Sequence, residues 1–89
     1  MNKDWLKRKL TVEQAEAEHL VTDDRLGPVP VPFGFCNADW KRLRAQMLPG
    51  DELWEFSSSS ESWQHLCGRG GIALVRRGEV VASVLTSMN

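Results

Sequence analysis

Residues 72–86, IALVRRGEVVASVLT, decide the fold: two apolar runs flank Arg77 and Gly78, the spacing of a two-residue hairpin turn. In that register Arg76 faces Glu79, and their opposite charges are expected to pin the pairing. The second run, VVASVLT, is apolar on both sides over part of its length, which predicts a strand that is central or covered.

Upstream, residues 52–57 alternate, with Trp54 and Phe56 on one side and Leu53, Glu55 and Ser57 on the other, as in a strand between core and solvent. The serines at 57–60 end that strand and cap a short helix over 61–67, whose buried face is expected to hold Trp63, Leu66 and Cys67. Gly68, Gly70 and Gly71 then stop the helix and permit close backbone approach. The fold class that follows is α+β: a small three-stranded, mainly antiparallel sheet packed by two or three helices.

Before the sheet, Asn37 and Asp39 suit a helix start, and Trp40, Leu43 and Met47 recur at separations of three and four, predicting a helix over 38–48 that Pro49 and Gly50 terminate. Prolines at 28, 30 and 32 force an extended path, with Val29, Val31 and Phe33 on one side. Their spacing of two is not the PxxP pattern of polyproline grooves, and the row is expected to pack over the domain as a coil or edge segment. Residues 4–20 are rich in helix formers, and Leu6, Leu10, Ala17 and Leu20 make a thin stripe interrupted by Glu13. Thr11 with Gln14 fits a capping box, dividing the region into a turn and a helix over 12–21. The segment 1–21 is weakly amphipathic and is expected to need the sheet or another chain to hold it.

At 89 residues the chain has room for a single small domain. Trp5, Trp40, Trp54 and Trp63 fall in four different predicted segments, so the core reads as stitched from one indole per element. Eleven basic and twelve acidic residues nearly cancel, which argues against an electrostatic nucleic-acid binder unless Lys41, Arg42 and Arg44 converge with Arg69, Arg76 and Arg77. No segment is apolar enough for a membrane span, nothing at the start resembles a secretion signal, and the expected location is cytoplasmic, with Cys36 and Cys67 reduced.

The chemistry-bearing residues are sparse. His19, Cys36, His65 and Cys67 make a mixed set of zinc-ligand types, but an HxC pair on a helix projects about 200° apart, so no metal or other cofactor is expected. Cys67 as a nucleophile lacks a helix N-terminus, although His65 or Arg69 lies near it in sequence. GRGG precedes a strand and has neither a P-loop lysine nor a dinucleotide fingerprint, so turn geometry explains it. His65 and Cys67 are thus weak catalytic candidates.

Three stretches together, GDELWEF at 50–56, SWQHLCGRGG at 62–71 and ALVRRGEVV at 73–81, resemble a group of short bacterial proteins of uncharacterised function. The resemblance covers the C-terminal forty residues and implies a single domain without carrying over any activity or site residue.

The expected function is therefore a small interaction or regulatory module that binds itself, by the last strand or the N-terminal helix, or another protein, by Trp5 and Leu6, by the row from Val29 to Phe33 that includes Val31, or by the surface around Arg69. The competing classes are a small enzyme built on His65 and Cys67 and an accessory nucleic-acid-contacting protein using converged arginines. The first requires a shared accessible pocket with an organising third group.

Overall fold

The computed structural model describes residues 3–88. In chain order the elements are β1 (Leu6–Leu10), α1 (Val12–Glu18), β2 (Leu20–Val21), β3 (Val31–Pro32), α2 (Asn37–Ala45), β4 (Glu52–Ser57), α3 (Ser60–Gln64), β5 (Arg69–Arg76) and β6 (Glu79–Met88). Single 3-10 turns occupy Lys3–Trp5, Asp24–Leu26 and Gly34–Cys36. The class is α+β, but the expected three-stranded sheet is corrected: among the described residues the main sheet has four strands in the order β1-β4-β5-β6, all antiparallel, and β2 and β3 form a second, two-stranded sheet.

The additional strand is β1, where a helix or turn was expected. Its residues LKRKL pair with β4, Leu6 opposite Phe56 and Leu10 opposite Leu53, with a register shift between Leu6 and Arg8. Lys7 is the extra residue of that bulge, and a bulge reverses the face on which later side chains fall. Leu6 accordingly joins Phe56, Ala73 and Val75 on one face, whereas Leu10 joins the main cluster on the other.

α1 begins as the sequence predicts. Thr11 Oγ1 accepts from the Gln14 amide at 3.0 Å, and Gln14 Oε1 accepts from the Thr11 amide at 2.9 Å, closing the capping box. The helix ends at Glu18 rather than near Val21, because Leu20 and Val21 turn extended to pair with Pro32 and Val31. Of the segment expected to need support, residues 1 and 2 lie outside the described residues, and the remainder is held by β1 in the sheet.

α2 also ends earlier than expected, at Ala45, and Cys36 rather than Asn37 precedes it; the Asn37 amide group instead donates to the Pro32 carbonyl at 2.9 Å. Its inner face carries Trp40, 1% exposed, and Leu43, 2% exposed. Each such burial contributes about 1.5–3 kcal/mol. With Ala15, Phe33 and the sheet residues Leu10, Leu53, Ile72, Leu74 and Val84 they form the main core. The opposite face is closed more thinly, by Trp5, Leu6, Trp54 and Val80 around Phe56, Ala73 and Val75.

The β5–β6 hairpin is as predicted, with Arg77 at φ 52° and Gly78 at φ 80°, the left-handed pair of a type I′ turn. Arg76 does face Glu79 in the register, but their side chains find other partners. Arg76 donates to both carboxylate oxygens of Asp51, at 3.0 Å from Nε and 2.8 Å from Nη2, and Glu79 meets Lys3 at 3.2 Å. The Asp51 side chain is only 2% exposed, and a carboxylate withdrawn from water requires a charged partner more than the wet Glu79 does.

Two further expectations are corrected. Of the two alternatives for the last strand, central or covered, the first is overturned: β6 is an edge strand, since β1 occupies the opposite edge and the order places β5 inside, and one of its faces is covered by the main core through Val84 and Ala82. The short helix α3 stops at Gln64: Leu66 adopts φ 59° and is 74% exposed, so it and the exposed Cys67 lie outside the packed face.

Candidate functional site

The residues expected as alternative contact sites lie on separate parts of the fold. Trp5 and Leu6 are half-buried against Phe56, Ala73 and Val75; Val31 is half-buried in β3; Phe33 is buried in the main core. Arg69 is exposed at the start of β5, its guanidinium donating to the neighbouring Gly68 carbonyl at 2.9 Å. His65 and Cys67 are both exposed in the turn after α3, where the Cys67 thiol rests on the His65 carbonyl at 3.3 Å, and neither lines the clefts described below. Among the described residues no three His, Cys, Asp or Glu side chains are grouped to hold a metal ion. The basic groups of α2 and β5 are largely matched locally: Arg42 by Asp39, Arg44 by Glu16 and Arg76 by Asp51.

The two edges of the main sheet differ in chemistry. β1 presents Lys7, Arg8 and Lys9 side by side, all exposed, and carries a bulge; charge and bulging are how natural sheets keep an edge from pairing with another chain. β6 has no charged residue from Val80 to Met88 and no proline. Val81 and Leu85 on this strand are each 43% exposed. The register places extra residues at Val81 and Thr86, leaving Ala82–Leu85 as regular strand between two bulges. The Cys36 thiol, a weak donor, lies 3.6 Å from the Leu85 carbonyl at one end of that stretch.

A cleft of about 250 Å³ opens beside this edge. Its walls are His19 at the end of α1, Glu55 and Ser57 of β4, and Trp63 of α3, over a floor formed by Gly70 and Gly71 of β5. The C-terminal end of β6 adds Thr86 and Ser87 to the rim. Strand crowding requires one of the two glycines: at Gly71 a Cβ would collide with the Val84 carbonyl, so only glycine permits β5 and β6 to approach there, whereas at Gly70 the nearest atoms leave room for one. Without side chains on that stretch the sheet surface lies open between α1 and α3.

Each wall is positioned by its own contacts. Trp63 Nε1–H donates to Ser57 Oγ at 3.1 Å, fixing the indole beside the floor. The Ser58 hydroxyl accepts from the Arg69 amide at 2.9 Å, tying the start of β5 to the serine turn. Glu55 Oε2 accepts from Arg8 Nη2 at 2.9 Å, and the same guanidinium also pairs with Glu18. Those two carboxylates, Glu18 first, hold the Arg8 guanidinium charged more firmly than usual.

His19 is the most constrained of the group. Its ring stacks on Phe33, centroids 4.7 Å apart, and Phe33 stacks on Trp40 at 4.4 Å. Its carbonyl accepts from the Phe33 amide at 2.7 Å. Its Nε2 is buried without a hydrogen-bond partner, a condition shared by no other side-chain nitrogen or oxygen among the described residues. From the sequence His19 reads only as a metal ligand, and Glu55, Ser57, Thr86 and Ser87 are missed as its neighbours; the one signal of the cleft is the glycine pair at the start of β5, ahead of its apolar run.

A second cleft, of about 260 Å³, lies over Leu48–Asp51 and the hairpin arginines. Asp51 and Arg76 neutralise one another there, and the Leu48 amide also donates to Asp51, at 2.9 Å. No protein-family model, no curated protein and no solved structure matches this chain.

Proposed function

We propose that this protein is a small cytoplasmic interaction module that works as a homodimer, two copies joined antiparallel along β6. The observation that carries the reading is the contrast between the edges. Pairing β1 with its own copy has to accommodate the bulge at Lys7 and a row of charged groups, Arg8 with Glu18 and Glu55 and Lys9 with Glu52, whereas pairing β6 with its copy around Ser83 brings together only uncharged side chains. Such pairing supplies backbone hydrogen bonds to an open edge and covers Val81 and Leu85. The resulting assembly is one continuous eight-stranded sheet with its helices repeated about a two-fold axis. The free thiols of Cys36 and Cys67 suit a reducing compartment, and none of the described helices is long and apolar enough to cross a membrane.

Sedimentation equilibrium tests this reading. The wild type is expected to sediment as a dimer that dissociates on dilution, and the double variant Val81→Lys, Leu85→Lys as a monomer with an unchanged far-UV spectrum. A wild-type chain that remains monomeric at submillimolar concentration overturns it.

A further inference from the structure

We infer that the cleft over Leu48–Asp51 and the hairpin arginines binds a small organic carboxylate with an apolar substituent, and that Arg76 and Arg77 hold its carboxyl group. The first observation is the open half of a fixed guanidinium. Arg76 directs Nε to Asp51 at 3.0 Å and Nη2 to Asp51 at 2.8 Å and to the Gln46 carbonyl at 3.0 Å. Those contacts use three of the five N–H bonds of the group. The two on Nη1 have no partner. Because His19 Nε2 is the one unpartnered buried side-chain nitrogen or oxygen among the described residues, Nη1 of the half-buried Arg76 is open to water. Asp51 and Gln46 thus hold the group in place before any ligand arrives, which lowers the ordering cost of binding.

The second observation is charge. Arg77 is exposed, and among the described residues it makes no hydrogen bond or ion pair. The Asp51 side chain is 2% exposed, with Oδ1 accepting from Arg76 Nε and Oδ2 from Arg76 Nη2 and the Leu48 amide. Two guanidinium groups against one carboxylate leave the cleft with one excess positive charge, and the carboxylate is the group withdrawn from water. Glu79, the next acid along the chain, is engaged by Lys3 at 3.2 Å. One negative charge balances the excess. A phosphate monoester, at about −1.5 to −2, exceeds it and leaves net negative charge beside Asp51.

The third observation is the rest of the lining. Leu48 is 56% exposed and Pro49 adjoins it, so the cleft also offers an apolar surface. Gly50 adopts φ 91°, and a Cβ there would meet nothing within 4 Å, so the backbone beside that surface is uncovered. A volume of about 260 Å³ lies below the roughly 300–1,000 Å³ of drug-sized sites and suits one aliphatic group with its carboxylate. A cation pair and an apolar surface in one cleft match a branched aliphatic carboxylate, whether a free acid or the last residue of a peptide. The carboxylate takes the guanidinium groups, and the aliphatic group covers Leu48 and Pro49.

The test is titration of the full chain, followed by amide and arginine Nε–H NMR spectra, with 4-methylpentanoate as a free acid and N-acetyl-leucine as a peptide C-terminus. N-acetyl-leucinamide, which lacks the charge, acetate, which lacks the aliphatic group, and inorganic phosphate serve as contrasts. Saturable shifts at Gly50, Gly78 and the Nε–H groups of Arg76 and Arg77 are expected with at least one of the two acids, at a dissociation constant on the order of 1 mM. The acid that binds more tightly names the source of the carboxylate. Arg77→Asn removes one cation and gives the turn the Asn-Gly pair that favours it, so the variant is expected to fold and to bind about ten-fold more weakly. Absence of saturation by both acids up to about 20 mM overturns the proposal. So does amide, acetate or phosphate binding as tightly as the acids, or binding that Arg77→Asn leaves unchanged.

Discussion

The imidazole of His19 stacks on Phe33 with the ring planes 17° apart, yet its Nε2 is buried without a partner. The stack holds α1 to the main core, since Phe33 continues onto Trp40, and the same geometry leaves the nitrogen unsatisfied. Packing and hydrogen bonding therefore pull in opposite directions at one side chain.

His19→Phe keeps an aromatic ring on Phe33 and removes the orphan nitrogen. The variant is expected to be more stable than the wild type by about 1 kcal/mol. In a domain of this size that is a rise in melting temperature of about 4–8 °C. Thermal melts followed by circular dichroism decide it; a lowered melting temperature would mean that the nitrogen is satisfied in solution.

Gly71 and Gly70 are adjacent but should respond very differently to alanine. A Cβ at Gly71 collides with the Val84 carbonyl, a backbone group of the paired strand that cannot swing aside, and Gly71→Ala is expected to cost about 3 kcal/mol. At Gly70 the nearest atoms are the Phe56 carbonyl oxygen at 3.4 Å and Ser87 Cβ at 3.6 Å, so Gly70→Ala is expected to change stability by less than about 1 kcal/mol. Urea unfolding of both variants provides the comparison, and equal losses would refute the strand packing described for β5 and β6.

Hydrogen bonds from Arg76, and then from the Leu48 amide, hold the Asp51 carboxyl below the ordinary carboxylate range. A depressed folded-state value means that the stabilisation is fully present above the unfolded value of about 3.9 and is lost as pH falls through the folded value. The difference in melting temperature between wild type and Asp51→Asn is expected to be widest near neutrality and to narrow below about pH 4. A gap that stays constant from neutrality to acid would show that the charge on Asp51 is not what Arg76 requires.

The hairpin was legible because Arg77 and Gly78 name their turn, and the capping box at Thr11 because its two residues stand three apart. β1 was not legible. Leu6 and Leu10 are four apart, the spacing of a helical stripe, and in a regular strand they would share a face; the bulge at Lys7 sends them to opposite faces, a reversal no periodicity reveals. With β1 missing, the apolar β6 reads as central or covered, since nothing else signals which strands lie at the edges. The cleft was hidden for a different reason: His19, Glu55, Trp63 and Gly70 come from four elements, and only the sheet order brings them together. His65 and Cys67, close in sequence, lie in an exposed turn outside both clefts.

Backbone amide hydrogen exchange measured across a range of protein concentrations tests self-association along β6 most directly. Protection of amides within Ala82–Leu85 is expected to rise with concentration, while that of Lys7, Arg8 and Lys9 in β1 stays constant, and the rise is expected to vanish in the Val81→Lys, Leu85→Lys variant. Exchange in β6 that is independent of concentration would contradict the dimer and leave β6 an ordinary solvent-facing edge.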